Sequence, residues 1–368
     1  MILSQLFSKI AQVAVFLGMP LTSVYHQFSE NPYLNSSFEE AKGLEKASNF
    51  FLIPAQYLFG ARFIQNINLT EFKIAQKFEY EAYFYPKALG SLVVLPFSFT
   101  VGSFLKGLAV CDSEVNSRHQ MYQLWLKDGK IDPNLEYYKK IGIKIIPQEL
   151  MLPADCQNHL RRADDLKTLS HERKALVDIS NELKKSGIPF WLDCGTCLGA
   201  YRYGGVIPWD FDIDISILRP DFCNAFKVLQ NLDPELYEIQ DWSGRDRPGS
   251  YLKVYVRKSH NLIDIYTFNI NEEQKTINYI IGNENSIFLP EGWKIRERLY
   301  TKPSKFEDVF PLKLAKFDGL QLPVPNKTKE YLQLRYGENI GPVKIYDPIS
   351  NQYEKDLTHP YWKFEYAK

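Results

Sequence analysis

Apolar positions recur along this chain with different periods, and those periods divide it. Across residues 157–186, Leu160, Leu166, Leu169, Leu176, Val177, Ile179 and Leu183 return at helical spacing among charged residues, and Gly187 follows where a helix takes a left-handed terminator. The spacing predicts one helix ending near Ser186. Pro189 to Asp193 reads as a short strand, Thr196 to Arg202 as a short helix, and Gly204-Gly205 as the break that ends it. Further along, a helix is predicted over Asp221–Leu229, strands near Leu236–Gln240, Ser250–Arg257 and Asn261–Phe268, and a late helix over Lys327–Tyr336. This mixture of strands and helices points to an α/β or α+β domain.

The first 111 residues follow a different pattern, with three uncharged, largely apolar stretches at Ile10–Tyr25, Ala47–Ala61 and Ala88–Leu105. The third is about the minimum length for crossing a bilayer, yet it contains Gly90, Pro96 and Gly102. Three readings stand open: a soluble helical domain, a surface-lying or re-entrant membrane anchor, and true spans. A cleaved signal peptide is not expected, because only Lys9 precedes the first stretch and no small-residue cleavage site is evident. The expected division is an apolar, mostly helical region over 1–150, with membrane association one of its open readings, and a catalytic domain over 151–368.

Composition narrows the function. Lys+Arg and Asp+Glu are both 44 in 368 residues, so the chain lacks the basic excess that nucleic acid requires, and none is expected as a partner. Five cysteines without framework spacing fit a reducing, cytoplasmic setting. Cys194 and Cys197 form a C-x-x-C with no second pair nearby, and read as small apolar fillers around a turn.

The chemistry concentrates in Trp209-Asp-Phe-Asp-Ile-Asp-Ile-Ser-Ile217. Read as a strand, it places Asp210, Asp212, Asp214 and Ser216 on one face and Phe211, Ile213, Ile215 and Ile217 on the other, apolar side inward. Three like charges on one strand face repel, and a hard divalent cation, Mg²⁺ or Mn²⁺, resolves the repulsion with a further carboxylate from another strand. Upstream, Gly195-Thr196 lies between a strand and a helix start, where unpaired backbone N–H groups favour a phosphate. Arg202 and, on a later strand, Lys253 and Arg257 are candidate phosphate contacts. Arg245 and Arg247 belong to a loop that either closes over substrate or is a solvated turn.

The run "GTCLGAYRYGGVIPWDFDIDI" resembles the signature of the LicD, fukutin and fukutin-related protein family, "LIDIYTF" supplies a later aspartate, Asp264, and "FPLKLAKFDGLQLPVPNKTKEYLQLRYG" is similar to the family's closing segment. The resemblance covers about Gln157 to Gly337. It implies an α+β, nucleotidyltransferase-type mixed β-sheet flanked by helices, with Asp212 and Asp214 on the metal, Asp264 on the metal or acting as general base, Asp210 on or just behind the metal, and Gly195, Thr196, Arg202 and Lys253 toward donor phosphate. It further implies transfer of an alditol phosphate or phosphocholine from CDP-ribitol, CDP-glycerol or CDP-choline to a glycan or glycolipid hydroxyl, with CMP leaving. Two other readings remain: nucleotidyl transfer with pyrophosphate release, and an inactive membrane-associated scaffold.

Overall fold

The computed structural model describes residues 43–52, 54–55, 63–64, 73–74, 84–117, 131–145, 150–151, 159–242, 249–280, 295 and 298–363. The stretch Ile10–Tyr25 and the loop residues Arg245, Asp246 and Arg247 lie outside them. The chain divides into two compact units, one formed by Met1–Lys130 with Asn285–Leu289, the other by Ile131–Glu284 with Pro290–Lys368.

In the first unit, helix α1 (Gly43–Phe51) packs along helix α2 (Phe84–Val110), which carries Pro96 within it. The second unit is α+β, as expected. Its helices are α3 (Leu135–Ile141), α4 (Ser170–Lys185), α5 (Cys194–Tyr203), α6 (Phe222–Leu229), α7 (Phe306–Val309) and α8 (Thr328–Tyr336). Seven strands form the main sheet: β1 (Phe190–Leu192), β2 (Ile213–Leu218), β3 (Tyr237–Asp241), β4 (Tyr251–Val256), β5 (Asn261–Asn271), β6 (Thr276–Tyr279) and β7 (Ser304–Lys305). A separate hairpin, β8 (Lys313–Phe317) with β9 (Leu320–Val324), completes the main pattern.

Strand β5 is the spine. It pairs in parallel with β2 along one edge; along the other, its first half pairs antiparallel with β4 and its second half with β6. The mixed pairing buries both faces of the centre, so β2 and β4 are buried along their whole length. Ile213, Ile215, Ile217, Ile263 and Ile265 alternate with the polar side chains of the site, and α4 contributes Ala175, Leu176, Ile179 and Leu183 to the buried apolar residues.

Two expectations are corrected. The helix predicted from residue 157 starts at Ser170, because Leu169 takes a left-handed conformation (φ 50°) after a 3₁₀ turn at Ala163–Lys167. Gly187 does terminate the helix with a positive φ of 69°. The aspartate-rich strand begins only at Ile213, so Asp210 and Asp212 precede it in a loop and Phe211 is 73% exposed instead of packing inward. The two compact units divide at 130/131, so α3 falls in the second: Tyr138 and Ile141 pack with Trp191, Phe268 and Phe310, and the Tyr138 hydroxyl donates to Asp221 Oδ2 at 2.6 Å.

Asp221 also accepts from the Asn134 side chain at 2.6 Å and from Asn224 Nδ2 at 3.1 Å, so it is a buried anion satisfied largely from outside its own helix. Tyr138→Phe removes one charge-assisted bond without creating a cavity, and is expected to cost about 1.5–3 kcal/mol in urea unfolding with an unchanged m value.

Candidate functional site

The site is assembled by the register of β5. Asp214 on β2 stands directly opposite Asp264 on β5, and Lys253 on β4 stands opposite Asp264 on its other side. Paired residues project from the same face of a sheet, so one row reads Asp214, Asp264, Lys253 across three strands. Asp212, just before β2, joins them: Asp212, Asp214 and Asp264 each offer a carboxylate oxygen within 4.8 Å of the others.

Like charges held this closely are costly. Burial first, then Asp212 and Asp264, push the Asp214 carboxyl well above the usual carboxylate range. Asp210 is raised to about 7, by burial and then by Asp212. Asp214 Oδ1 is buried and accepts no hydrogen bond. Lys253 Nζ lies 3.0 Å from Asp264 Oδ1 as an ion pair, at an angle that makes no hydrogen bond, and the Tyr266 hydroxyl donates to Asp264 Oδ2 at 3.3 Å. Oxygens around one octahedral Mg²⁺ sit at about 2.1 Å from it and so no more than about 4.2 Å apart, which a small movement of these three would satisfy. The donor set is all hard oxygen, and it fits Mg²⁺ or Mn²⁺.

A helix start faces this row. Asp193 caps α5, its Oδ1 accepting from Cys194 N at 2.8 Å and from the Tyr331 hydroxyl at 2.8 Å, while Oδ2 accepts from Ser216 Oγ at 2.6 Å. Cys194 takes a positive φ of 46°, and Gly195 and Thr196 follow in the first turn, where N–H groups have no intrahelical acceptor. The Thr196 hydroxyl accepts from Asp214 N at 2.8 Å and so fixes the backbone of a carboxylate in the cluster. At Gly195 a Cβ would lie 2.7 Å from Asp210 Oδ2, so glycine lets that carboxylate approach the helix start. Cys197 is fully buried, consistent with a filler role.

The remaining predicted residues sit differently. Arg202 is buried, its Nε donates to the Ile340 carbonyl at 2.7 Å, and burial lowers its pKa to about 10; its charge in turn favours the ionised form of Asp210. Lys253 is enclosed by aromatic faces, 4.8 Å from the Trp242 ring centre and 5.0 Å from that of Tyr251. Arg257 pairs with Glu238 at 3.3 Å. Sequence reasoning missed Asp193 and Tyr331; an aspartate closing a strand immediately before a Gly-Thr helix start was the available signal for the first, and none existed for the second.

This geometry coincides with known sequence relationships. The nucleotidyltransferase domain described as LicD/FKTN/FKRP matches residues 187–327, a segment that holds the acidic cluster, the helix start and Lys253. Fold and site agree with this match: residues 187–327, less than half of the 368-residue chain, are similar to the LicD/FKTN/FKRP nucleotidyltransferase domain. An uncharacterized protein of Rickettsia typhi is 26% identical over 197 residues, 54% of this chain and 55% of the relative. Ribitol 5-phosphate transferase FKRP of Homo sapiens is 25% identical over 163 residues, covering 43% of this chain and 29% of FKRP. Ribitol-5-phosphate transferase FKTN of Homo sapiens is 28% identical over 169 residues, covering 45% and 32%. The chain thus spans about half of the first relative and under a third of the other two.

The raised pKa of Asp210 gives a signed prediction. Below about pH 4 the carboxyl is protonated in folded and unfolded chains alike, and the group neither adds nor removes stability. Between about pH 4 and its folded value of about 7 the folded form keeps a proton that the unfolded chain releases, so stability falls as pH rises through this window. In EDTA, the Tm of Asp210→Asn minus that of the wild type is expected to grow from pH 4 to 7 and then level off. A flat difference would remove the shift.

Proposed function

We propose that this chain transfers an alditol phosphate from a CDP-activated donor to a glycan or glycolipid hydroxyl, releasing CMP. The observation that carries the reading is the convergence of Asp212, Asp214 and Asp264 within 4.8 Å, with Asp210 set against the Gly195 helix start. It is supported by the names of FKRP and FKTN as ribitol 5-phosphate transferases.

In the reaction, the acceptor hydroxyl oxygen bonds to the alditol-bearing phosphorus, the diphosphate P–O bond breaks, and its electron pair leaves with CMP. Asp212, Asp214 and Asp264 would hold Mg²⁺ or Mn²⁺, which when bound neutralises charge on the diphosphate. The first-turn N–H groups at Gly195 and Thr196 receive donor phosphate oxygens. Lys253 and Arg202 add positive charge behind the site. Asp210 takes the proton of the acceptor hydroxyl: a carboxylate raised to about 7 is poised for this at neutral pH, whereas Asp264 is committed to Lys253 and the cluster.

An alditol is favoured over choline because the aromatic residues nearest in sequence are engaged elsewhere. Trp191 is fully buried against Phe268 and Phe310, with its Nε1 donating to Tyr331 at 3.2 Å. Trp209 packs edge-on with Tyr203 and Tyr353, and Lys344 Nζ sits 5.1 Å from its ring centre, where a quaternary ammonium would have to go. The apolar N-terminal region, with a helical span at Leu89–Val110 long enough to cross a bilayer, is proposed to keep the enzyme at a membrane.

With Mn²⁺ present, CMP release is expected from CDP-ribitol or CDP-glycerol faster than from CDP-choline, and excess EDTA should stop it. Asp212→Asn and Asp214→Asn are expected to lower turnover by at least about 10²-fold while the protein remains folded, since Asn keeps the shape but loses the charge that binds a hard cation. Pyrophosphate in place of CMP would convert the assignment to nucleotidyl transfer, and no turnover of any CDP-linked donor would leave the scaffold reading.

A further inference from the structure

The helix pair of the first unit has its polarity reversed. On α2 the inward positions are Ser91, Ser98, Gly102, Lys106 and Ala109, one stripe at helical spacing made of small and polar residues. The outward positions include Val93, Val94, Phe97, Phe104 and Leu108, with Val93 80%, Phe97 67% and Phe104 66% exposed. On α1, Glu45, Ser48 and Asn49 face inward, while Leu44 and Phe50 face out. Phe97 meets Phe51 of α1 edge-on, with ring centroids 6.3 Å apart, yet stays largely exposed. Two helices meeting in water would turn the rest of this apolar face inward and the buried serines, lysine and glutamate toward solvent.

In hydrocarbon the preference inverts: lipid already solvates the apolar face, small residues let helices approach, and polar groups find partners across the seam. The contacts follow that logic. A Cβ on Gly102 would lie 2.8 Å from Leu52 Cγ, so the glycine is what allows the helices their approach. Ser48 Oγ donates to the Gly102 carbonyl at 2.9 Å, and Lys106 Nζ donates to Asn49 Oδ1 at 2.9 Å, both bonds buried. One outward hydroxyl turns back onto its own helix, which suits a surface without water: Thr100 Oγ1 donates to the Pro96 carbonyl at 2.8 Å. The 22 residues of Leu89–Val110 rise about 33 Å, close to a hydrocarbon core of about 30 Å, whereas the nine residues of α1 rise only about 14 Å.

We infer that α1 and α2 are seated together in a phospholipid bilayer, α2 across its hydrocarbon core and the shorter α1 alongside part of it, with acyl chains against the Val93, Phe97 and Phe104 face and the polar seam between the helices. This deepens the membrane placement proposed above and is independent of which donor the catalytic unit uses.

The test uses the full chain, purified in detergent and reconstituted into phosphatidylcholine vesicles. The wild type is expected to float with the vesicles and to resist an alkaline carbonate wash, and Phe97→Asp/Phe104→Asp to reduce the vesicle-bound fraction at least about tenfold. Phe97→Trp, a conservative change, is expected to add fluorescence over the wild type that brominated lipid quenches. Three results would overturn the inference: a wild type that stays soluble and monodisperse without detergent, a Phe97→Trp signal that brominated lipid leaves intact, or a lipid-free oligomer that the aspartate pair dissolves, which would make the face a contact between protein copies. CMP release measured on the same samples separates this outcome from failure of the phosphotransfer reading, since either can be lost while the other stands.

Discussion

The repulsion between Asp214 and Asp264, side by side on adjoining parallel strands, is the constraint around which the catalytic unit is arranged. Two buried carboxylates in one row cannot both ionise without a counter-charge. The sheet answers on one side with Lys253, held between Trp242 and Tyr251, and leaves the other side open to Asp212 and the helix start. The hydrogen bonds that fix the backbone and cap nearby, from Asp214 N to Thr196 and from Ser216 and Tyr331 to Asp193, hold the acidic row against its own tendency to spread.

That arrangement separates roles among chemically identical side chains. Asp193 is fully hydrogen-bonded and serves structure; Asp214 is buried with an unsatisfied oxygen and suits a cation; Asp210, half-buried beside glycine, titrates near neutrality. Environment, not residue type, distinguishes the cap from the proposed ligand and the proposed base.

Much of this was legible in the chain before any coordinates. Gly187 and Gly204 end their helices with positive φ as their positions implied, and the alternation in residues 213–217 reports a strand with its isoleucines inward. What could not be read was pairing. Nothing local says that Asp264 lies opposite Asp214, since parallel strands far apart in sequence share no turn to set their register. The strand was also extended too far toward its start, because alternation continues through Phe211 although the Ile207–Asp210 turn prevents pairing there. Composition showed that the first unit was apolar, but only packing reveals that Glu45, Ser48, Asn49, Ser91, Ser98 and Lys106 are enclosed while Val93, Phe97 and Phe104 are exposed.

The parallel union of β2 with β5 has a consequence for how the protein acquires its site. β3, β4 and β5 follow one another as antiparallel neighbours, whereas Asp214 and Asp264 meet only when strands fifty residues apart, from 214 to 264, come together. Contacts of such sequence separation are entropically late in folding. A cation held by the proposed ligands would therefore find no assembled set to grip until the chain had passed its main barrier, and would act as a latch on the finished topology, slowing unfolding far more than it hastened folding.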